Sequence, residues 1–435
     1  MLASACAVLP QPVAFNEETF TRDQLITDFD AGLAFIKETH PDLSYSAKPD
    51  ALDVKAMEIR ASLTDGMTAR EAWRQMALLN PVFADAHVGF RRPLNALEIY
   101  QDNGGSLFPL PIVFDAGGVM RAAASGPGGV DAGDRIVSIN GISADNVVAP
   151  LLERMRGETA ELGRLVLQLY FPIFFWVEHG GYDAYSVRVK KPDGRTLTAR
   201  LAEADAYAPA DDYFTYRALS AHVGYLKIDT FNIEQFEPFK AFLESAFADI
   251  KADQIETLII DVRENGGGAN DLSDELVYYL TDQPYSFISS VKARITEQNI
   301  QLVPVEGVKP GMVLDLPLHQ TRTPPPDLKN RYSGDVYVLT GPMTYSASIV
   351  FATTVQDYGI GKIAGAAPIG AANQTGQVQT LVTPNTKLEA LSPLYIFRRP
   401  NGDKSRSRIT VDIPVNHNPL DPEAALDDLL SIIAQ

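Results

Sequence analysis

The chain has 435 residues, 46% of them hydrophobic and 21% charged, enough apolar material for buried cores and a size that corresponds to about two to four domains. Its 37 basic and 55 acidic residues leave a formal charge of -18, a field that repels phosphate backbones and anionic lipid and so argues against nucleic acid as a partner. Cys6 is the only cysteine, the six histidines are scattered, and HExxH, Walker-type and GxGxxG patterns are absent, so no internal disulfide, no metal and no cofactor is expected.

At the N-terminus, Leu2-Ala3-Ser4-Ala5-Cys6 resembles a lipoprotein processing site without its usual upstream regions. Residues 1–15 are therefore read as a leader or disordered N-terminus. Cys6 becomes a candidate lipid anchor, and the expected location is exported, periplasmic or lipid-anchored. No apolar run reaches the ~18 residues that a membrane-crossing helix needs, so no transmembrane segment is expected. Across residues 16–100, "FTRDQLITDFDAGLAFIKETHPDL" and "TAREAWRQMALLNPVF" carry apolar residues at three- and four-residue spacing, which predicts a small helical domain.

Residues 101–205 change character. A glycine-rich turn leads into a strand over Arg135 to Asn140, a tight Asn140-Gly141 turn and a helix, and "YSVRVKKPDGRTLTARL" predicts a closing hairpin turned at Pro192-Asp193-Gly194. That succession resembles a PDZ domain, a fold that captures an extended peptide or a free carboxylate by adding it as a strand. The aromatic run "LVLQLYFPIFFWV", Leu165 to Val177, is expected as a core strand, with an exposed lid or substrate-facing ridge as the alternative.

From residue 206 to 435, strands and helices alternate, which predicts an α/β fold with a mixed or parallel sheet. "VGYLKIDTF", the continuously apolar "IETLIIDVR" and "GDVYVLTG" read as strands, the second of them central. In such sheets chemistry collects where strands end and helices begin. Two junctions qualify, Asn265 to Gly268 and Thr344 to Ala347. A serine at a helix start can cap it, and the helix's first amides point at any anion formed nearby, which favours Ser346 over Ser348. The glycines Gly266-Gly267-Gly268 let backbone approach a ligand closely. On residue chemistry alone, capping and nucleophilic roles for Ser346 both stay open.

"GYLKIDTFN", "LIIDVRENGGG", "VYVLTGPMTYSASIVFATTVQDYG" and "PNGDKSRSRITVDIPV" together resemble the carboxyl-terminal processing (tail-specific) serine peptidases and their tricorn-type relatives. The order of parts agrees as well, over about Asp28 to Asp427. The resemblance implies a helical N-terminal domain, a PDZ-like domain and a crotonase-like αβ peptidase core. It implies Ser346 as nucleophile, and an oxyanion hole from the amides of Gly266 or Gly267 and Ala347. One branch of the family takes a lysine after a glycine downstream of the nucleophile helix. Here Gly370 is followed by Ala371, and Gly365 to Val378 holds no lysine. The tricorn-type branch takes a histidine from an Asp-Gly-His-Thr-like motif, for which "FADAHVGFRR" supplies His87 as general base.

A third group that orients the base is the part least satisfied by the resemblance. Where family members carry a glutamate, this chain has Ser405, with Asp403 displaced nearby. Asp357 reads as a helix-end carboxylate, and Asn373 as a turn former that could instead hold substrate backbone or orient His87. The implied function is a serine endopeptidase acting on a peptide or protein substrate through its C-terminus. The alternative is a catalytically weak or inactive relative that binds peptides or small apolar ligands in the same cleft.

Overall fold

The computed structural model describes residues 10–13, 15–202, 212–297, 299–302, 305–317 and 320–434. Two compact units emerge, residues 1–209 with 378–392, and residues 210–377 with 393–435. The strands Thr375–Val382 and Glu389–Arg398 contribute residues to both. Cys6 lies outside the described residues.

In the first unit, the helices Arg22–Thr39 and Ala69–Met76 form where the three- and four-residue spacing predicts them, and a third helix, Pro49–Ser62, lies between them in sequence. The first opens on a capping box in which Thr21 and Gln24 satisfy each other's backbone amides, and it buries Leu25, Phe29, Leu33 and Ile36 on one stripe. Asp28, on the same stripe, is fully buried. Its Oδ1 accepts from Asn385 N at 3.0 Å and Nδ2 at 2.8 Å, and its Oδ2 accepts from Thr386 N and Oγ1, both at 2.6 Å. These four bonds tie residues 385–386 to the helix. Asp28→Ala leaves buried donors without an acceptor, and urea unfolding should show a loss of about 3 kcal/mol.

Strands Ile112–Phe114, Met120–Ala122, Arg135–Ile139, Tyr185–Lys190 and Thr196–Leu201 form an antiparallel sheet in that order. The last two pair from Tyr185↔Leu201 to Lys190↔Thr196 around the expected Pro-Asp-Gly turn. The aromatic run departs from expectation. Leu165 to Val177 is no strand but parts of two helices, Ala160–Leu169 and Phe171–His179, bent by 91°. A short, mostly apolar run cannot be told from a buried strand by its period alone, and here it spans the junction of two helices. Pro172 fits the second helix because it sits in the first turn, where its missing N–H is unneeded. Phe171, Phe174 and Phe175 are buried at helical spacing. No single helix among the described residues is long and apolar enough to cross a membrane, although this bent pair reaches the length and composition together.

In the second unit, a six-stranded sheet runs in the order Phe214–Ala218, Val223–Ile228, Thr257–Asp261, Asp335–Thr340, Lys362–Gly365, Ile413–Pro414. The first pair is antiparallel and the remaining pairs are parallel. Thr257–Asp261 is interior, as its apolar run predicts. The helix Pro422–Ile433 buries Leu426 and Leu429 against Tyr225, Ile259 and Leu339. Helix Phe236–Ala252 buries Phe239, Leu243 and Phe247, the last stacked on Tyr279 at 4.3 Å. A second sheet pairs Ser290–Arg294 with Val313–Pro317 and with the end of Glu389–Arg398.

Candidate active site

Adjacent parallel strands Thr257–Asp261 and Asp335–Thr340 end side by side, and the two turns that follow are bonded to each other. Thr344 Oγ1 donates to Val262 O at 2.8 Å and accepts from Gly341 N at 3.0 Å, while Tyr345 N donates to Asn265 O at 3.1 Å. These bonds hold the glycine turn against Ser346. A Cβ on Gly267 would lie 2.7 Å from Ser346 Cβ and from Tyr345 O, and 2.9 Å from Ala347 N. Gly267 also has φ +99°, a conformation that L side chains avoid.

Ser346 occupies the N-cap of helix Ala347–Asp357 yet makes no side-chain capping bond, so the capping role left open by its position is not the one it fills. Its backbone sits at φ +52°, ψ -122°, a region costing on the order of 1–3 kcal/mol for a residue with a Cβ. Its carbonyl accepts from Ile349 N at 2.9 Å, Val350 N at 3.1 Å and Gln374 Nε2 at 2.8 Å. Gln374, which the sequence reading passed over, thus clamps the strained residue from outside the helix. Gln374 Oε1 and Ser348 Oγ are buried with no hydrogen-bond partner among the described residues.

Of the two glycines expected to lend an oxyanion amide, Gly267 has its N–H bound by Asn265 Oδ1 at 2.9 Å. The amides of Gly266 and Ala347 make no hydrogen bond among the described residues. Ala347 is the first helical residue, where N–H groups have no intrahelical acceptor.

The loop expected to orient the base is organised differently from the family pattern. Asn373 Nδ2 donates to Asp403 O at 2.7 Å and Ser405 O at 2.6 Å, and its Oδ1 accepts from Arg399 N at 2.8 Å, so it shapes the 399–405 turn. Ser405 is exposed, its Oγ bonded to Asp403 Oδ2 at 2.6 Å and Ser407 Oγ at 2.8 Å. Asp357 is the helix-end carboxylate expected, gripped by Arg399 through Nε at 3.0 Å and NH2 at 2.5 Å.

His87 belongs to the first unit, where a buried polar chain surrounds it. Asp85, 2% exposed, accepts from His87 N through Oδ1 at 2.9 Å, and the same oxygen lies 3.5 Å from His87 Nδ1. Asp85 Oδ2 accepts from Ser46 Oγ at 2.8 Å, and Ser46 Oγ lies 2.9 Å from His40 Nε2. The flanking backbone is fixed by Ala84 N donating to Ser46 O at 2.7 Å and by Asn80, whose Oδ1 accepts from Phe90 N at 2.7 Å. The sequence reading left Asp85 without a role, although its place two residues before His87 is the spacing at which an Asp side chain reaches a backbone amide.

Burial pushes the Asp85 carboxyl up, but hydrogen bonds from His87 and the electrostatic influence of the His87 and His40 imidazoles outweigh it and hold Asp85 below the usual carboxylate range. A carboxyl depressed in the folded state adds stability that is fully present above its unfolded value, ~3.9, and is lost as pH falls toward the folded value. The stability gap between wild type and Asp85→Asn should therefore shrink as pH is lowered from about 6 to about 3, as read by urea midpoints.

A strand, a tight turn with a strained serine, and a helix whose first amide makes no hydrogen bond among the described residues form the arrangement that serine hydrolases use. Residues 222–415, a little under half of the chain, match the model of Peptidase family S41, the mark of a serine-type peptidase. The fold is similar to that of mature CPAF, with a TM-score of 0.66 and 14% identity over 95% of this chain and 96% of that one. It is also similar to the photosystem II D1 C-terminal processing protease, with a TM-score of 0.50 and 17% identity over 94% of this chain and 97% of that one. No curated protein matches the sequence. Among the described residues, no group of three or more His, Cys, Asp or Glu is arranged to hold a metal ion.

Proposed function

We propose that the chain is an endopeptidase of the carboxyl-terminal processing type, of the histidine-using, tricorn-like branch, with Ser346 as nucleophile and His87 as general base. In this reading Ser346 Oγ attacks the peptide carbonyl carbon as its proton passes to His87 Nε2. The oxyanion is held by the amides of Gly266 and Ala347, while Gly267 lets the turn approach. The imidazolium returns the proton to the departing amine, and water repeats the sequence on the acyl-enzyme. Residues 16–100 form its helical domain, residues 101–205 a PDZ-like domain that presents the substrate's tail, and residues 206–435 a crotonase-like core. Export with lipid attachment at Cys6 completes the reading and rests on the Leu2 to Cys6 string alone.

The observation that carries this reading is Ser346 itself, held at positive φ against Gly267 without capping its helix. Strain of that kind persists only where the surroundings over-determine it, and it concentrates at functional sites. The test is hydrolysis of one peptide with a free C-terminal carboxylate and of the same peptide amidated. The free acid should be cut faster. Equal rates would remove the tail-recognition reading, and absence of cleavage of both peptides and of casein would contradict the endopeptidase.

A further inference from the structure

We propose that Asp85 is the positioning residue for His87, taking the place of the carboxylate that family members contribute from the region of Ser405; the proposal rests on the reading of His87 as general base. The donors around Asp85 fix its role. Asp42 N donates to His40 Nδ1 at 3.1 Å, so that nitrogen is an acceptor and the His40 proton sits on Nε2. His40 Nε2–H then donates to Ser46 Oγ, and the Ser46 hydroxyl donates onward to Asp85 Oδ2. Each member of the chain points its proton toward Asp85, which accordingly stays an acceptor-only carboxylate.

The second oxygen serves His87. With Oδ1 anchored by the His87 amide at 2.9 Å and 3.5 Å from Nδ1, the carboxylate favours the tautomer protonated on Nδ1. That tautomer leaves Nε2 with the lone pair that a general base needs, and hydrogen bonds of this kind are often long before substrate is bound. The carboxylate is also rigid. Asp85 is 2% exposed, Ser46 is 2% exposed and His40 is fully buried, so the chain has little freedom to rotate away. The 403–405 loop offers nothing comparable: it is exposed, and the Asp403 carboxylate is engaged by Ser405 through both its backbone amide and its hydroxyl.

The experiment compares kcat and KM for peptide hydrolysis by wild type, Asp85→Asn, Asp85→Glu, Ser46→Ala and His87→Ala, with circular dichroism to confirm folding. Asp85→Asn should lower kcat by about 10³–10⁴-fold with KM within threefold, because an amide can donate to Nδ1 and select the wrong tautomer. Asp85→Glu should recover part of that loss. Ser46→Ala should lower kcat about tenfold at unchanged KM, and it decides the matter if Asp85→Asn does not fold. Full kcat in Asp85→Asn, or in Ser46→Ala where that variant decides, while His87→Ala is inactive, would overturn the positioning role alone. Activity retained in His87→Ala would overturn the reading of the base and this proposal with it.

Discussion

Ser346→Ala should lower peptide hydrolysis by about 10⁴–10⁶-fold while leaving the fold intact, as judged by kcat on a tail peptide and by an unchanged urea midpoint. The size follows from the chemistry: without Oγ no acyl-enzyme forms, and only binding and the oxyanion amides remain to help water. The fold should survive because Ser346's side chain caps nothing. The carbonyl bonds to Ile349, Val350 and Gln374 are made by the backbone and persist in the variant. Adding His87→Ala to Ser346→Ala should cost almost nothing more, since groups that act as a unit lose their contribution together. A double variant markedly slower than Ser346→Ala would mean that the two residues act separately.

Gly267→Ala should also be strongly damaging, though less so than Ser346→Ala, with kcat down by about 10²–10³-fold. The new methyl group would overlap Ser346 Cβ and Tyr345 O at 2.7 Å and crowd Ala347 N at 2.9 Å. Backbone and a tightly held residue cannot yield as a flexible side chain would, so the turn must withdraw and take the Gly266 amide with it. Gly66→Ala is the matched control: its φ is +84°, but nothing lies within 4 Å of the added Cβ. It should carry only the conformational penalty, about 1 kcal/mol of stability, with kcat unchanged. Equal losses of kcat in both variants would show that positive φ, rather than the contact with Ser346, explains the effect.

How much of this was legible beforehand depends on whether the signal was local. The parallel strands of the second unit are buried on both faces, so "IETLIIDVR" and "GDVYVLTG" read as apolar runs followed by turn residues, and the junctions at Gly266 and Ser346 could be located from composition alone. The conformation of Ser346 could not be, because positive φ is normally announced by glycine, and here it is imposed by the bonds of Thr344, Tyr345 and Gln374. The helices at Ala160–Leu169 and Phe171–His179 escaped because the apolar run Leu165 to Val177 straddles the bend between them, so the period of neither helix shows across it. Association of residues 378–392 with the N-terminal part was invisible for another reason. It comes from contacts nearly 300 residues apart or more, such as Arg91 N to Glu389 O at 2.9 Å and Asp28 with Thr386. Asp85 lay in plain view two residues from His87, but only its burial and the donors from Ser46 and His87 distinguish it from an ordinary loop carboxylate.

The nucleophile is the central claim, and covalent labelling reads it most directly. Wild-type protein treated with a fluorophosphonate probe and digested for mass spectrometry should carry the adduct on the peptide containing Ser346. Ser346→Ala should carry none, and His87→Ala should label far more slowly. An adduct on any other serine, or labelling of Ser346→Ala at the wild-type rate, would contradict the assignment.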